Sequence, residues 1–228
     1  MRPRMRPCGA IALVLFGLPV LCARVVAAEP VATVLDRYLQ GLQTLHTDFR
    51  QTVSDAHGAT VEAGAGELIV QRPGRFRWDY APTAGPDGGG DPQSTGQLLI
   101  ADGRNLWFYD RELSQVTVKP VASVLSPTPV MLLSGSVADL HAQFELRAGA
   151  SHDGLEWVEI QPRSAAADFS HAELGFAGDR LARMLIDDRL GQKVQLDFEH
   201  SARNAPIDAA SFRFVPPAGV DVIGTPQP

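Results

Sequence analysis

Gly66-Glu67-Leu68-Ile69-Val70-Gln71-Arg72-Pro73-Gly74-Arg75-Phe76-Arg77-Trp78-Asp79-Tyr80 reads as two strands meeting at one charged corner. Leu68 to Val70 is a short apolar, partly β-branched run. After the corner, Phe76, Trp78 and Tyr80 alternate strictly with Arg75, Arg77 and Asp79, the period of a strand with one buried face. Three large rings on one side, each with roughly 150–250 Å² to bury, call for a wide apolar space beneath them. Between the strands Pro73 fixes φ and supplies no donor, Gly74 permits positive φ, and Arg72 before the proline is biased toward extended backbone. An apolar face therefore ends at a fixed guanidinium.

Upstream, Val31, Val34, Leu35, Tyr38, Leu39, Leu42 and Leu45 recur at three- and four-residue steps and predict one amphipathic helix over Val31 to Leu45, weakened only by Gly41. Its polar face lacks the Lys/Arg richness of a membrane-surface helix, so it is expected to pack on a sheet. Thr47 to Val53 then alternates as a strand. A hairpin turn at Asp55 to Gly58 leads into a strand from Glu62 to Arg72, where Gly64 and Gly66 suggest a bulge or bend. Downstream, Ala81 to Gly96 is Pro/Gly-rich without apolar period and reads as a mobile loop. Gln97 to Ala101, Asn105 to Asp110 and Ser114 to Lys119 form a meander around an Asp102-Gly103 turn. Ser126 to His141 breaks this rhythm with two prolines and two short apolar stretches, predicting two short helices with Pro129 in a first turn and Ser136 as an N-cap. Such short helices need an apolar bed. Strands resume at Gln143 to Arg147, Leu155 to Gln161, Ser170 to Phe176, Leu181 to Ile186 and Lys193 to His200. The tail adds a strand at Ser211 to Val215 and an irregular stretch from Pro216 to Val222. The expected fold class is mainly β: an unclosed antiparallel β-barrel of about ten or eleven strands, covered by an N-terminal helix and short lid helices.

The 228-residue chain opens with Arg2, Arg4 and Arg6, an apolar run from Ile11 to Leu21 too short to span a bilayer as a helix, and small residues at Val26 to Ala28. Residues 1–28 are thus expected to be a cleaved secretory signal, and residues 29–228 a single domain. Cys22 follows Leu21 rather than a small residue, which argues against a lipid anchor. Without four leader arginines the balance is 16 basic residues against 26 acidic, a charge of about −10. Nothing would neutralise phosphates, so nucleic acid is not an expected partner, and self-repulsion favours a monomer. Both cysteines, Cys8 and Cys22, lie in the leader. The exported chain has no thiol for catalysis, metal or disulfide.

Enzymatic signatures are missing. The six histidines have no zinc spacing, and Gly-x-Ser-x-Gly, phosphate-loop and dinucleotide motifs are absent. Asp187 and Asp188 are neighbours in a turn and point apart. No catalytic residue, metal site or cofactor is expected. Phe76, Trp78, Trp107, Met131 and Leu133 could by pattern alone be an ordinary core.

The quoted stretch, together with Asp102-Gly-Arg-Asn-Leu-Trp-Phe-Tyr-Asp, Gln115-Val-Thr-Val, Thr128-Pro-Val-Met-Leu-Leu and Phe212-Arg-Phe-Val-Pro-Pro-Ala-Gly-Val-Asp-Val, resembles the outer-membrane lipoprotein carrier (LolA) family of Gram-negative bacteria. The motifs follow in order along the whole mature chain. The resemblance implies a periplasmic chaperone, not an enzyme, that takes acylated lipoproteins from the inner-membrane ABC transporter LolCDE to the outer-membrane receptor LolB. It also implies that Arg72 latches the lid through lid carbonyls. The implied acyl-chain cavity residues are Leu68, Val70, Phe76, Trp78, Leu106 and Phe108, with Val130, Met131, Leu132 and Leu133 on the lid. The loop from Ala81 to Gly96 is longer than the family pattern. A sensor of the same fold, or a secreted hydrolase, is the alternative.

Overall fold

The structure is a computed structural model that describes residues 33–83, 95–121, 131–165 and 167–228. Among them, twelve strands form one sheet in the order β12-β6-β5-β4-β3-β2-β1-β11-β10-β9-β8-β7. Successive hairpins build the first half: β1 (Thr44–Ser54), β2 (Thr60–Gln71), β3 (Arg75–Pro82), β4 (Gln97–Asp102), β5 (Asn105–Asp110) and β6 (Gln115–Pro120). The second half is β7 (Phe144–Ala148), β8 (Glu156–Pro162), β9 (Phe169–Ala177), β10 (Arg180–Asp188) and β11 (Lys193–Arg203). β1 joins the halves by pairing with both β2 and β11. The expected unclosed sheet is therefore present, and among the described strands the only parallel pair is the last, β12 (Asp221–Ile223) on β6.

Alternation along the strands sends one set of side chains to a common interior. Phe49, Leu68, Val70, Phe76, Leu174, Leu196 and Phe198 join a large buried cluster that also takes in Val34, Leu35, Tyr38 and Leu39 of helix α1 (Val34–Gln40). The aromatic stripe does what its period demands: Phe76 and Tyr80 are buried inside, and the opposite face carries Asp79 between Arg77, at 2.7 Å, and Arg111, at 2.5 Å. Phe49 stacks on Trp78 with ring centroids 3.9 Å apart.

Gly64 and Gly66 do not mark a bulge. The β1–β2 and β2–β3 registers run unbroken through both, and the only shift between β1 and β2 is at Val53/Ser54. Their role is close approach: a Cβ at Gly64 would strike the Tyr80 ring, and one at Gly66 would sit 2.5 Å from Phe49 Cζ and against the Asp79 carbonyl oxygen.

The first helix is shorter than its apolar spacing predicts. Thr33 opens it with a capping box, accepting from the Asp36 backbone N–H while the Asp36 carboxylate accepts from the Thr33 backbone N–H at 2.7 Å. Gly41 closes it, and Leu45 already pairs with Val70 as part of β1. Leu42 and Leu45 fit a helical step and a strand step alike, and from Thr44 the β-branched residues and the waiting edge of β2 decide for strand. Val31 lies outside the described residues, as do residues 84–94 of the expected loop and Pro129.

The tail also departs from expectation. Ser211 to Val215 is not a strand: Asp208 caps a single 3-10 turn, Ala209–Phe212, and the chain then crosses the outside of the sheet. There Phe214 and Val220 pack on a second apolar cluster, Leu98, Ile100, Trp107, Val116 and Val118, with the Phe214 and Trp107 rings 5.6 Å apart. The stretch read as irregular up to Val222 ends in β12. Prolines 206, 216 and 217 supply no ladder donors, so the tail finds its place through side chains first.

Candidate functional site

Inside the sheet is an apolar cavity of about 170 Å³. β2, β3 and β4 contribute Leu68, Trp78 and Leu99 to its wall, β10 and β11 contribute Met184, Ile186, Val194, Leu196 and Phe198, and Leu133 closes it from above. Among the described residues Gln51 of β1 is the one polar, non-aromatic side chain in that lining. The volume is close to the roughly 150 Å³ that holds one benzene in a dry engineered cavity. A long hydrocarbon chain would need more room than this.

The cover consists of α1 with two short helices, α2 (Met131–Ser134) and α3 (Val137–Gln143), the latter N-capped by Ser136 as expected. Leu132, Leu133 and Leu140 are buried beneath it. One fastening is the corner where β2 turns into β3. The Gly74 N–H donates to the Ser134 carbonyl at 2.9 Å. Arg72 Nε and Nη2 donate to the Gly135 carbonyl at 3.1 and 2.6 Å, and Nη1 donates to the Leu39 carbonyl at the end of α1. One guanidinium thus holds both halves of the cover to the barrel rim. Burial pulls its pKa down from the ordinary arginine value, yet arginine stays charged at any working pH, so these are charge-assisted bonds.

A second tie joins α1 to α3: His141 Nε2 lies 2.7 Å from Asp36 Oδ1. Burial by itself would push the Asp36 carboxyl up. Hydrogen bonds from the Thr33 backbone and hydroxyl, with His141, outweigh it and hold the carboxyl below its ordinary 3.8. The sign follows: a folded pKa below the unfolded one contributes stability that is complete above the unfolded value and is lost as pH falls through the folded one. Asp36→Asn should therefore destabilise the protein at neutral pH, with the gap to wild type closing below about pH 4. Urea titrations of both proteins from pH 7 to pH 3 check this, and a gap that does not narrow contradicts it.

Of the residues singled out from sequence, Leu68, Trp78 and Leu133 line the cavity, and Arg72 sits at its rim on the cover. Val70, Phe76 and Leu132 are fully buried in the surrounding core, and Leu106 packs against it. Phe108 shares the face of Leu106 and pairs with Leu99. None of these five lines the closed cavity. Met131 opens α2, and Val130 lies outside the described residues. Sequence reading missed Gln51, Leu99 and the β10 and β11 wall. Their alternation was visible, but a strand facing a cavity and one facing a filled core have the same period. Among the described residues no cluster of three metal-ligating side chains occurs.

The sequence profile described as "Outer membrane lipoprotein carrier protein LolA" matches residues 40–215. The outer-membrane lipoprotein carrier protein of Methylobacillus flagellatus is 35% identical over 190 residues, covering 83% of this chain and 87% of that protein. The protein of the same description from Methylibium petroleiphilum is 36% identical over 207 residues, covering 90% and 96%. A crystallised LolA superfamily protein from Nitrosomonas europaea aligns with a TM-score of 0.43 at 11% identity, covering 79% of this chain and 96% of that one. This chain belongs to the outer membrane lipoprotein carrier protein LolA family.

Proposed function

We propose that the protein is a periplasmic carrier that shelters the acyl chains of lipoproteins during their transfer to the outer membrane. The observation that carries this is the apolar cavity under a cover that the Arg72 guanidinium ties to the barrel rim at both Leu39 and Gly135. A hydrocarbon chain gains about 0.8 kcal/mol for each methylene taken out of water, so full burial of one long chain would approach 10 kcal/mol and make release slow. A carrier must hold its cargo loosely. The bonds from Arg72 to Leu39 and Gly135 exist in the closed state and must break on loading, so closure offsets part of that gain. In this reading Arg72 is the latch, and the cavity wall with Leu132 and Leu133 of the cover contacts the chains. As the cover opens, Val70, Phe76, Leu106 and Phe108 extend that wall.

The finer parts of the reading come from family membership and the sequence. Residues 1–28 serve as the export signal, the inner-membrane LolCDE transporter loads the carrier, and LolB receives the cargo. No enzymatic step is involved. The direct test is binding of a fluorescent fatty-acyl probe. Wild type should bind it, and Leu133→Glu, which places a carboxylate on a fully buried cavity wall, should weaken binding at least tenfold. Equal binding by a folded Leu133→Glu variant would remove the cavity from the function.

A further inference from the structure

Gln51 is a primary amide in a cavity whose other described lining residues are aliphatic or aromatic. It belongs to a row of polar groups that leads out of the interior. The Tyr80 hydroxyl donates to Glu62 Oε1 at 2.5 Å, and Gln51 lies beside the same hydroxyl, since it pairs with Gly64, over which the Tyr80 oxygen sits. The backbone is shaped for this row. Gln51 pairs with Gly64, and the missing side chain of Gly64 lets the Tyr80 ring lie across that position toward Glu62. Phe49, stacked on Trp78 and on Tyr80, fills the space between the row and the apolar wall.

Satisfying Tyr80 does not account for the amide. The buried hydroxyl already has a carboxylate as acceptor. Gln51 brings two N–H donors and a carbonyl, more than the one tyrosine oxygen beside it can take up. A primary amide in an apolar cavity without a partner is unfavourable, whereas a methionine or leucine there would not be. The remaining N–H is available to an occupant that presents an acceptor.

We propose that Gln51, oriented by Tyr80 and Glu62, is the point at which the cavity recognises the acyl carbonyl of an ester- or amide-linked chain. The hydrocarbon then runs toward Leu68, Trp78 and Leu133. Gly64 beside Gln51 and Leu68 are four residues apart on β2, so the amide and the apolar end are separated by roughly 13 Å along the strand. The Glu62 carboxylate at the outer end of the row opposes a free carboxylate at the same place. The site therefore favours an esterified or amidated acyl group over a free fatty acid. This assignment rests on the acyl-carrier reading above and adds to it a polar subsite and a chain direction.

Three probes test it on the purified chain: dodecane, methyl laurate and laurate. In Gln51→Met, a substitution close in volume, the affinity ratio of methyl laurate to dodecane should fall about fivefold, the factor of one neutral hydrogen bond. Tyr80→Phe keeps the ring, removes the orienting hydroxyl and should lower the same ratio; it serves as well if Gln51→Met fails to fold. Glu62→Gln should raise the affinity for laurate relative to methyl laurate. Dodecane and methyl laurate binding with an unchanged ratio in Gln51→Met and Tyr80→Phe overturns the subsite and leaves the carrier reading in place. Wild type that binds none of the three overturns both.

Discussion

Gly66→Val is expected to destabilise the protein by more than about 3 kcal/mol, near the upper end for overpacking, and to lower its melting temperature by roughly 10 °C for a chain of this size. The effect has a specific origin. Gly66 is paired with Phe49 on one side and Tyr80 on the other, at the centre of β1, β2 and β3. The Phe49 ring lies across the glycine, and a Cβ there would meet Phe49 Cζ at 2.5 Å as well as the Asp79 carbonyl. The backbone oxygen cannot rotate away. If the ring moves instead, it leaves its stack on Trp78, whose centroid is 3.9 Å distant, and disturbs the cavity wall. Ala65→Val, one residue away on an exposed position, should change stability by less than about 0.5 kcal/mol. Thermal unfolding of the two variants checks the pair, and equal melting temperatures would contradict the packing described for Phe49.

Arg72→Leu is expected to separate loading from delivery. The variant should bind acylated substrate at least as readily as wild type and pass it on some ten- to a hundredfold more slowly. Three hydrogen bonds from one guanidinium join the barrel rim to Gly135 and Leu39, and each charge-assisted bond is worth about 1.5–3 kcal/mol. Losing about 1.4–2.8 kcal/mol of the preference for the closed, empty state gives that range of rates if it appears fully in the release barrier. Arg72→Lys should fall between, since an ammonium keeps the charge but cannot place a planar fork on two carbonyls. Single-turnover transfer from preloaded carrier to acceptor membranes measures the rate. Wild-type transfer by Arg72→Leu would mean that closure does not drive release.

Much of this was legible in the chain because the informative features are local. Phe76, Trp78 and Tyr80 announced a strand with a wide apolar side, and Asp102-Gly103 announced its turn, since each depends only on neighbours. The end of α1 was not legible: Leu42 and Leu45 suit both periods, and the choice was made by pairing with Val70 on a strand 25 residues on. The tail was misread for a similar reason, because Phe214 is placed by Trp107, a contact no local pattern encodes. In the site, Arg72 was marked by the proline after it and by family resemblance. Gln51 carried no such mark. Its inward position follows from the parity of Phe49, but only the three-dimensional arrangement shows that the space it faces is a cavity and that the hydroxyl it meets belongs to Tyr80.

The most direct measurement is release of a newly made acylated lipoprotein from spheroplasts incubated with purified residues 29–228. The carrier account predicts a soluble one-to-one complex with wild type and its loss with Leu133→Glu. A folded wild-type protein that releases nothing, or a Leu133→Glu variant that releases as much, would contradict it.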